Sequence, residues 1–163
     1  MMNYIKDTSY LLRKGEGKIK EVTAAVILKD NCVLIAQRSA GDKLAGKWEF
    51  PGGKTEPGET PQECLKREIK EELEVDIEVL NFFAESIYTY QSGTIKLMAF
   101  WCKWIAGDLT LKVHSKIVWV KRSELNLYDF APADIPLAEK LRQLLSLESQ
   151  SLESKILGDS AHE

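Results

Sequence analysis

The sequence predicts an α/β protein of the α+β kind, with one mixed β-sheet sandwiched between two helices. Three observations predict it. Runs of apolar, branched and aromatic residues at 22–29, 32–38, 75–80, 82–90, 94–104 and 117–120 read as strands. Two stretches instead place apolar residues at helical spacing: Leu65, Ile69 and Leu73, then Ile135, Ala138, Leu141, Leu144 and Leu145. The chain shows no internal repeat, and its 163 residues fit one domain with a real core.

Taken in order, the first two runs are separated only by Asp30-Asn31, the signature of a hairpin with a tight turn. Residues 39–47 form a polar, glycine-bearing loop, and Glu56-Pro57-Gly58 reads as a turn. Thr60 is placed as an N-cap, with Pro61 at the first helical position and Glu63 closing a capping box. Gln91-Ser92-Gly93 turns one aromatic strand into the next. Asp134 opens the final helix. The expected division is an N-terminal extension at 1–19, a main body at 20–146, and a tail at 147–163 that frays because it is polar and serine-rich.

Composition narrows the function classes. A net charge of −3 gives no electrostatic case for binding long DNA or RNA. The longest apolar run, 24–28, is far too short to cross a bilayer, and Lys6, Asp7, Arg13, Lys14 and Glu16 break up the first 17 residues, so neither a membrane nor a secretory route is expected. Cys32, Cys64 and Cys102 form no paired motif, which fits a reduced, cytoplasmic setting.

The chemistry is concentrated at 52–74. On a helix, Glu68, Glu71 and Glu72 occupy adjoining positions three and four apart, where like charges repel unless a cation sits among them. Hard carboxylate oxygens suit Mg²⁺, with Mn²⁺ as a substitute, and magnesium takes one or two carboxylates together with waters and phosphate oxygens. Arg67 can pair with Glu63 or Glu71, Glu59 sits just before the helix, and Gly52-Gly53 lets the backbone turn tightly and approach a ligand.

The run Gly53, Glu59, Arg67, Glu68, Ile69, Glu71, Glu72 and Val75 resembles the signature of the Nudix hydrolases, with Glu74 where that family usually has glycine. The resemblance implies a Nudix fold, with Glu68, Glu71, Glu72 and the Gly52 carbonyl as metal ligands. It implies a catalytic set of Glu68, Arg67 and Glu59, in which Glu68 is the candidate general base and Arg67 orients the glutamates. The glycine that Glu74 replaces follows the helix, where a left-handed residue is common, so the helix end is the point in question.

Substrate-binding candidates lie outside this run. Arg38 ends a strand beside a glycine-bearing loop, where it either grips phosphate or stays at the surface, and Lys54 either balances phosphate charge or is a solvated loop lysine. Trp48 and Phe50 either stack on a base or pack. The segment 131–137, Ala-Pro-Ala-Asp-Ile-Pro-Leu, resembles that of MutT-like nucleoside triphosphate pyrophosphohydrolases of the CTP pyrophosphohydrolase type, where the residue at the Asp134 position meets the base. Asp134 is equally placed to be an ordinary N-cap. Some family members carry a further metal-ligating glutamate near 112–115, but none stands there in this chain. Either that role is lost or Glu85 supplies it, with His114 read as a plain loop residue.

The expected activity is Mg²⁺-dependent cleavage of a nucleoside triphosphate to monophosphate and diphosphate, with CTP, dCTP or modified pyrimidine nucleotides as substrates. Alternatives are 8-oxo-dGTP, ADP-ribose, or a non-catalytic nucleotide sensor. The expected partner is a small nucleotide, and the protein is a monomer or a homodimer.

Overall fold

The computed structural model describes residues 17–144. The strands are β1 (Lys20–Lys29), β2 (Cys32–Arg38), β3 (Trp48–Glu49), β4 (Asp76–Tyr90), β5 (Gly93–Ala106) and β6 (His114–Lys121). The helices are α1 (Pro61–Leu73), a 3₁₀ segment (Arg122–Leu127) and α2 (Ile135–Gln143). The sheet runs β3-β2-β1-β5-β4, with β6 on β2; β1 and β5 are parallel and every other pair is antiparallel.

Strand alternation explains the sandwich. Ala24 and Val26 of β1, Val33 and Ile35 of β2, and Leu97, Ala99 and Trp101 of β5 pack on one face with Leu137, Ala138 and Leu141 of α2. Their neighbours Ala25, Ile27, Leu34, Met98, Phe100 and Cys102 face the other way, onto Leu65, Ile69 and Leu73 of α1. Side chains on a strand point alternately to opposite faces, so a sheet covered on both sides needs near-continuous apolar runs. The runs 24–27 and 97–102 have that character.

Several boundaries differ from those predicted. The runs 75–80 and 82–90 are one strand, β4, whose register against β5 shifts between Val79 and Phe82 and again before Ala84. Bulges absorb the irregular alternation that suggested two strands. β6 begins at His114 rather than Ile117, and Trp48–Glu49 forms a short strand that no periodicity announces. Asp30 and Asn31 both take left-handed φ values, 49° and 61°, as the predicted hairpin turn requires. Leu145 and the two terminal segments lie outside the described residues.

The helix end at Glu74 resolves plainly. α1 stops at Leu73 and Glu74 takes the left-handed cap conformation, φ 59° and ψ 22°, the geometry that favours glycine. Its carboxylate pairs with Lys112 Nζ at 2.6 Å, and Thr110 N–H donates to Leu73 O at 2.9 Å, so the segment before β6 ties off the helix. Relief of a left-handed side chain should outweigh loss of an exposed ion pair. Glu74→Gly is therefore expected to raise the melting temperature by a few degrees, measured by circular dichroism.

Candidate active site

The site is assembled from the loop between β3 and α1, the outer face of α1, and the ends of β2 and β6. Thr60 Oγ1 accepts from Glu63 N–H at 3.2 Å and Glu63 Oε2 accepts from Thr60 N–H at 2.8 Å, so the capping box forms and Glu63 is spent on it. Arg67 turns elsewhere. Its Nε and Nη2 grip Glu59 at 2.7 and 3.0 Å as a fork, Nη1 reaches Glu68 at 2.9 Å and Glu71 at 3.2 Å, and Nη2 donates to Lys54 O at 3.2 Å. The Arg67 guanidinium, helped by Glu56 N–H, pulls the Glu59 carboxyl down to about 2, so Glu59 is an anion throughout any working range. With its donors committed to protein oxygens, Arg67 is a brace that fixes the loop to the helix and aims two glutamates.

Of the two needs predicted for the glycines, a tight turn and a close approach to a ligand, the first does not apply. Neither takes a positive φ, so a tight turn is not the reason for them. A Cβ on Gly52 would run into the Thr23 carbonyl on β1, and a Cβ on Gly53 would occupy the place of the Glu68 carboxylate. Gly52→Ala, which meets rigid backbone, is expected to cost about 3 kcal/mol in urea denaturation. Gly53→Ala meets only the end of a side chain. It should stay folded while displacing Glu68 and lowering kcat by about 10²-fold.

Around these glycines the backbone carbonyls divide. Pro51 O accepts from Ala25 N–H and Gly53 O accepts from Thr23 N–H, each at 2.8 Å. Among the described residues, the Gly52 carbonyl between them has no such partner, which leaves it available to a ligand.

Glu72 is the most perturbed carboxyl of the cluster. Burial, then the charges of Glu68, Glu49 and Glu71, push it up to about 8, and its Oε2 is buried with no hydrogen-bond partner among the described residues. A desolvated, unpartnered oxygen among like charges is the environment a divalent cation relieves. The described carboxylates do not close into a ready-made cage of three or more. An ion here would draw the rest of its coordination from waters and phosphate oxygens, as Mg²⁺ does. The buried Glu72 oxygen and the Gly52 carbonyl are donors that fit such an ion, with Glu68 and Glu71 at adjoining positions of the same helix.

A cleft of about 810 Å³ opens beside this helix face, and Glu72, Gly52, Gly53, Lys54, Arg38, Phe50 and Asp134 all line it. Of the predicted residues, Glu59, Arg67, Glu68 and Glu71 do not line this cleft; they are joined to one another through Arg67, beside Gly53 and Lys54. Trp48 takes the second of its two readings: it does not line the cleft but packs edge-on against Tyr128, ring centroids 5.1 Å apart. Phe50 is 3% exposed and stacks on Phe130 at 5.4 Å, so it contributes wall and backbone rather than a free ring. Glu85 is half-exposed, pairs with Lys96 at 3.5 Å and does not line the cleft.

Asp134 stands at the N-cap position of α2 but makes no capping bond. Its Oδ1 accepts from Phe50 N–H at 3.0 Å. Burial first, then the charge of Glu49, raises its carboxyl well above the usual range.

The sequence reading missed Glu49 and misplaced His114. Glu49 joins Arg38 Nη1 at 2.8 Å and His114 Nε2 at 2.9 Å within the cleft wall, and His114 is buried at the start of β6 rather than looped out. Tyr90, whose hydroxyl accepts from Ala133 N–H at 3.1 Å, completes the wall beside Asp134. The one available signal was Glu49 itself, a charged residue between Trp48 and Phe50. Nothing in its spacing pointed to a partner 65 positions away.

Comparison with known proteins follows this geometry. A family model described as NUDIX domain matches residues 19–141. The chain is 39% identical over 127 residues to the CTP pyrophosphohydrolase of Escherichia coli (strain K12), covering 78% of this chain and 94% of that protein. It is 33% identical over 129 residues to the 8-oxo-dGTP diphosphatase of the same organism, covering 78% and 98%. Among solved structures, the E. coli ORF135 protein superposes with a TM-score of 0.70 at 37% identity, covering 81% of this chain and 94% of that one. The MutT protein of Methanosarcina mazei Go1 shares the fold, with a TM-score of 0.71 at 21% identity over 82% and 98% of the two chains.

Proposed function

This chain belongs to the Nudix hydrolases, and we propose that within them it is a Mg²⁺-dependent pyrophosphohydrolase that converts a nucleoside triphosphate, preferentially a cytidine nucleotide, to the monophosphate and diphosphate. One observation carries the reading. The buried, unpartnered Glu72 oxygen opens on the same cleft as Arg38, Lys54 and Asp134, so a metal-ligating carboxylate, two phosphate-binding cations and a base-reading carboxyl surround one nucleotide-sized space.

In this reading Glu68, Glu71, Glu72 and the Gly52 carbonyl hold the divalent ion, with Mn²⁺ as a substitute for Mg²⁺. The ion supplies charge neutralisation on the phosphate oxygens. The chain's own groups do the rest. Arg38 and Lys54 bind the phosphate chain and offset its charge. Glu68, held at 2.9 Å by Arg67 and seated where Gly53 lacks a side chain, takes the proton of the attacking water. Glu59 keeps Arg67 in place, so the aim of Glu68 does not depend on its own flexible stem. Phe50, Ala131, Ile95 and Leu97 give the base an apolar wall, and the Asp134 oxygen not bound by Phe50 meets its edge.

The competing reading is an 8-oxo-dGTP diphosphatase, favoured by the second of the two E. coli relatives. A panel of canonical, methylated and oxidised triphosphates, together with ADP-ribose, assayed for diphosphate or phosphate release with Mg²⁺ and with chelator, separates them. Highest kcat/KM on CTP or a modified dCTP, lost in chelator, is the expected result. Preference for 8-oxo-dGTP would move the assignment to the second reading, and equal slow turnover of everything would defeat both.

A further inference from the structure

We propose that His114 is a positioning residue of the nucleotide site, acting through Glu49 to fix the guanidinium of Arg38. The proposal rests on the assignment of Arg38 to substrate binding, and its own support comes from three strands that meet at the cleft.

β6 pairs with β2 so that Ile117 lies opposite Ala36 and Lys116 opposite Gln37, but the next pair is His114 with Arg38. Ser115 is an extra residue, a bulge between Gln37 and Arg38. Side chains directly opposite one another share a face. Without the bulge Ser115 would lie beside Arg38 and the imidazole would point to the other side of the sheet. On the opposite flank of β2, Glu49 faces Ala36, two residues from Arg38 and therefore on the same face. The bulge thus brings an imidazole, a carboxylate and a guanidinium together on the cleft side.

The chemistry of the three groups runs in one direction. His114 is 7% exposed, and its Nε2 lies 2.9 Å from Glu49 Oε1. With Glu49 ionised, Nε2 carries the hydrogen and donates it. Glu49 Oε2 accepts from Arg38 Nη1 at 2.8 Å. Both carboxylate oxygens are thereby pinned, which holds Glu49 in place in the cleft wall it shares with Glu72 and Asp134.

The far end of the chain is unfinished. Among the described residues Arg38 Nε is buried without a hydrogen-bond partner, as are His114 Nδ1 and Glu72 Oε2, and all three residues line the cleft. A buried guanidinium donor with nothing to bind points to a substrate oxygen that completes it. Arg38 otherwise sits at a strand end next to a loop, and its geometry depends on Glu49, which in turn depends on His114. Because Arg38 grips the substrate and moves no proton, loosening its guanidinium should fall on binding more than on the chemical step.

Steady-state kinetics on CTP with saturating Mg²⁺ test this. His114→Ala is expected to raise KM by about tenfold with kcat changed less than about twofold. His114→Gln, whose amide nitrogen reaches Glu49 as Nε2 does, should recover most of that loss. His114→Asn, which is too short, should not. Combined with Glu49→Ala, His114→Ala should add nothing further, because its effect passes through Glu49. An additive double variant, a His114→Ala enzyme with the parental KM, or equal kinetics for the Gln and Asn variants would overturn the inference. If His114→Ala fails to fold, the contrast between His114→Gln and His114→Asn carries the same expectation. A parent protein that releases no diphosphate from any triphosphate would overturn the reading of the site itself, and this inference with it.

Discussion

Glu72→Gln should lose turnover on the order of 10³-fold or more, yet make the metal-free protein more stable. Both outcomes follow from one environment. Burial and the charges of Glu68, Glu49 and Glu71 hold the Glu72 carboxyl at about 8 in the folded chain, against an ordinary value of 4.5. A carboxyl raised on folding costs nothing below the unfolded value, where both states keep the proton. Between about 4.5 and 8 the unfolded chain has lost a proton that the folded chain retains, so stability falls as pH rises, and the loss is complete above 8. With Glu72 mostly buried, the loss amounts to about 2–4 kcal/mol.

Glutamine keeps the shape and removes the charge, so the variant should show a flatter stability-against-pH curve than the parent and a higher melting temperature at pH 8 in chelator. Mg²⁺ should reverse the order by stabilising the parent at pH 8 more than at pH 5.5, because the ion competes with the proton for the carboxylate. It should leave Glu72→Gln nearly unmoved. Thermal melts at the two pH values, with Mg²⁺ and with chelator, read all of this. A variant with parental turnover, or a parent whose melting temperature ignores Mg²⁺ at both pH values, would refute Glu72 as a ligand.

The contrast between Glu72 and Glu49 shows what the sequence could disclose. Glu68, Glu71 and Glu72 lie within five residues on one helix, where periodicity turns spacing into geometry, and the capping box of Thr60 and Glu63 fixes where that helix starts. The alternating faces of β1, β2 and β5 were legible for the same reason: apolar runs with turn residues between them specify a covered sheet. Glu49 and His114 meet through strand pairing across 65 positions, and that meeting depends on a one-residue bulge at Ser115. A single inserted residue reverses which face every following side chain takes, and no local pattern marks it. That Gly52 and Gly53 make room for the Thr23 carbonyl and the Glu68 carboxylate was hidden on similar grounds, because the chain supplies those neighbours from distant positions.

At a pH above the raised titration of Asp134, Asp134→Asn is expected to shift base preference away from cytidine by about 100-fold, read as the ratio of kcat/KM on CTP to that on UTP. Asp134 Oδ1 is held by Phe50 N–H at 3.0 Å, so only the second oxygen is available to a base. Asparagine must keep its carbonyl on Phe50 N–H or leave that buried donor unmet, which turns its NH₂ toward the cleft. Cytosine presents its exocyclic amino group at that edge and uracil a carbonyl, so the substitution replaces an acceptor for the first with a donor for the second. The same geometry predicts a pH dependence. Burial and Glu49 hold the Asp134 carboxyl well above its usual range, and its acceptor form populates as pH rises through that raised value. The CTP-to-UTP ratio of the parent should therefore climb with pH, while that of Asp134→Asn, which has no proton to lose, should stay flat. Taking the ratio cancels the titration of Glu72, which both substrates share. A parental ratio that does not move with pH, together with an unshifted ratio in the variant, would reduce Asp134 to a support for the Phe50 backbone and pass base selection to another wall of the cleft.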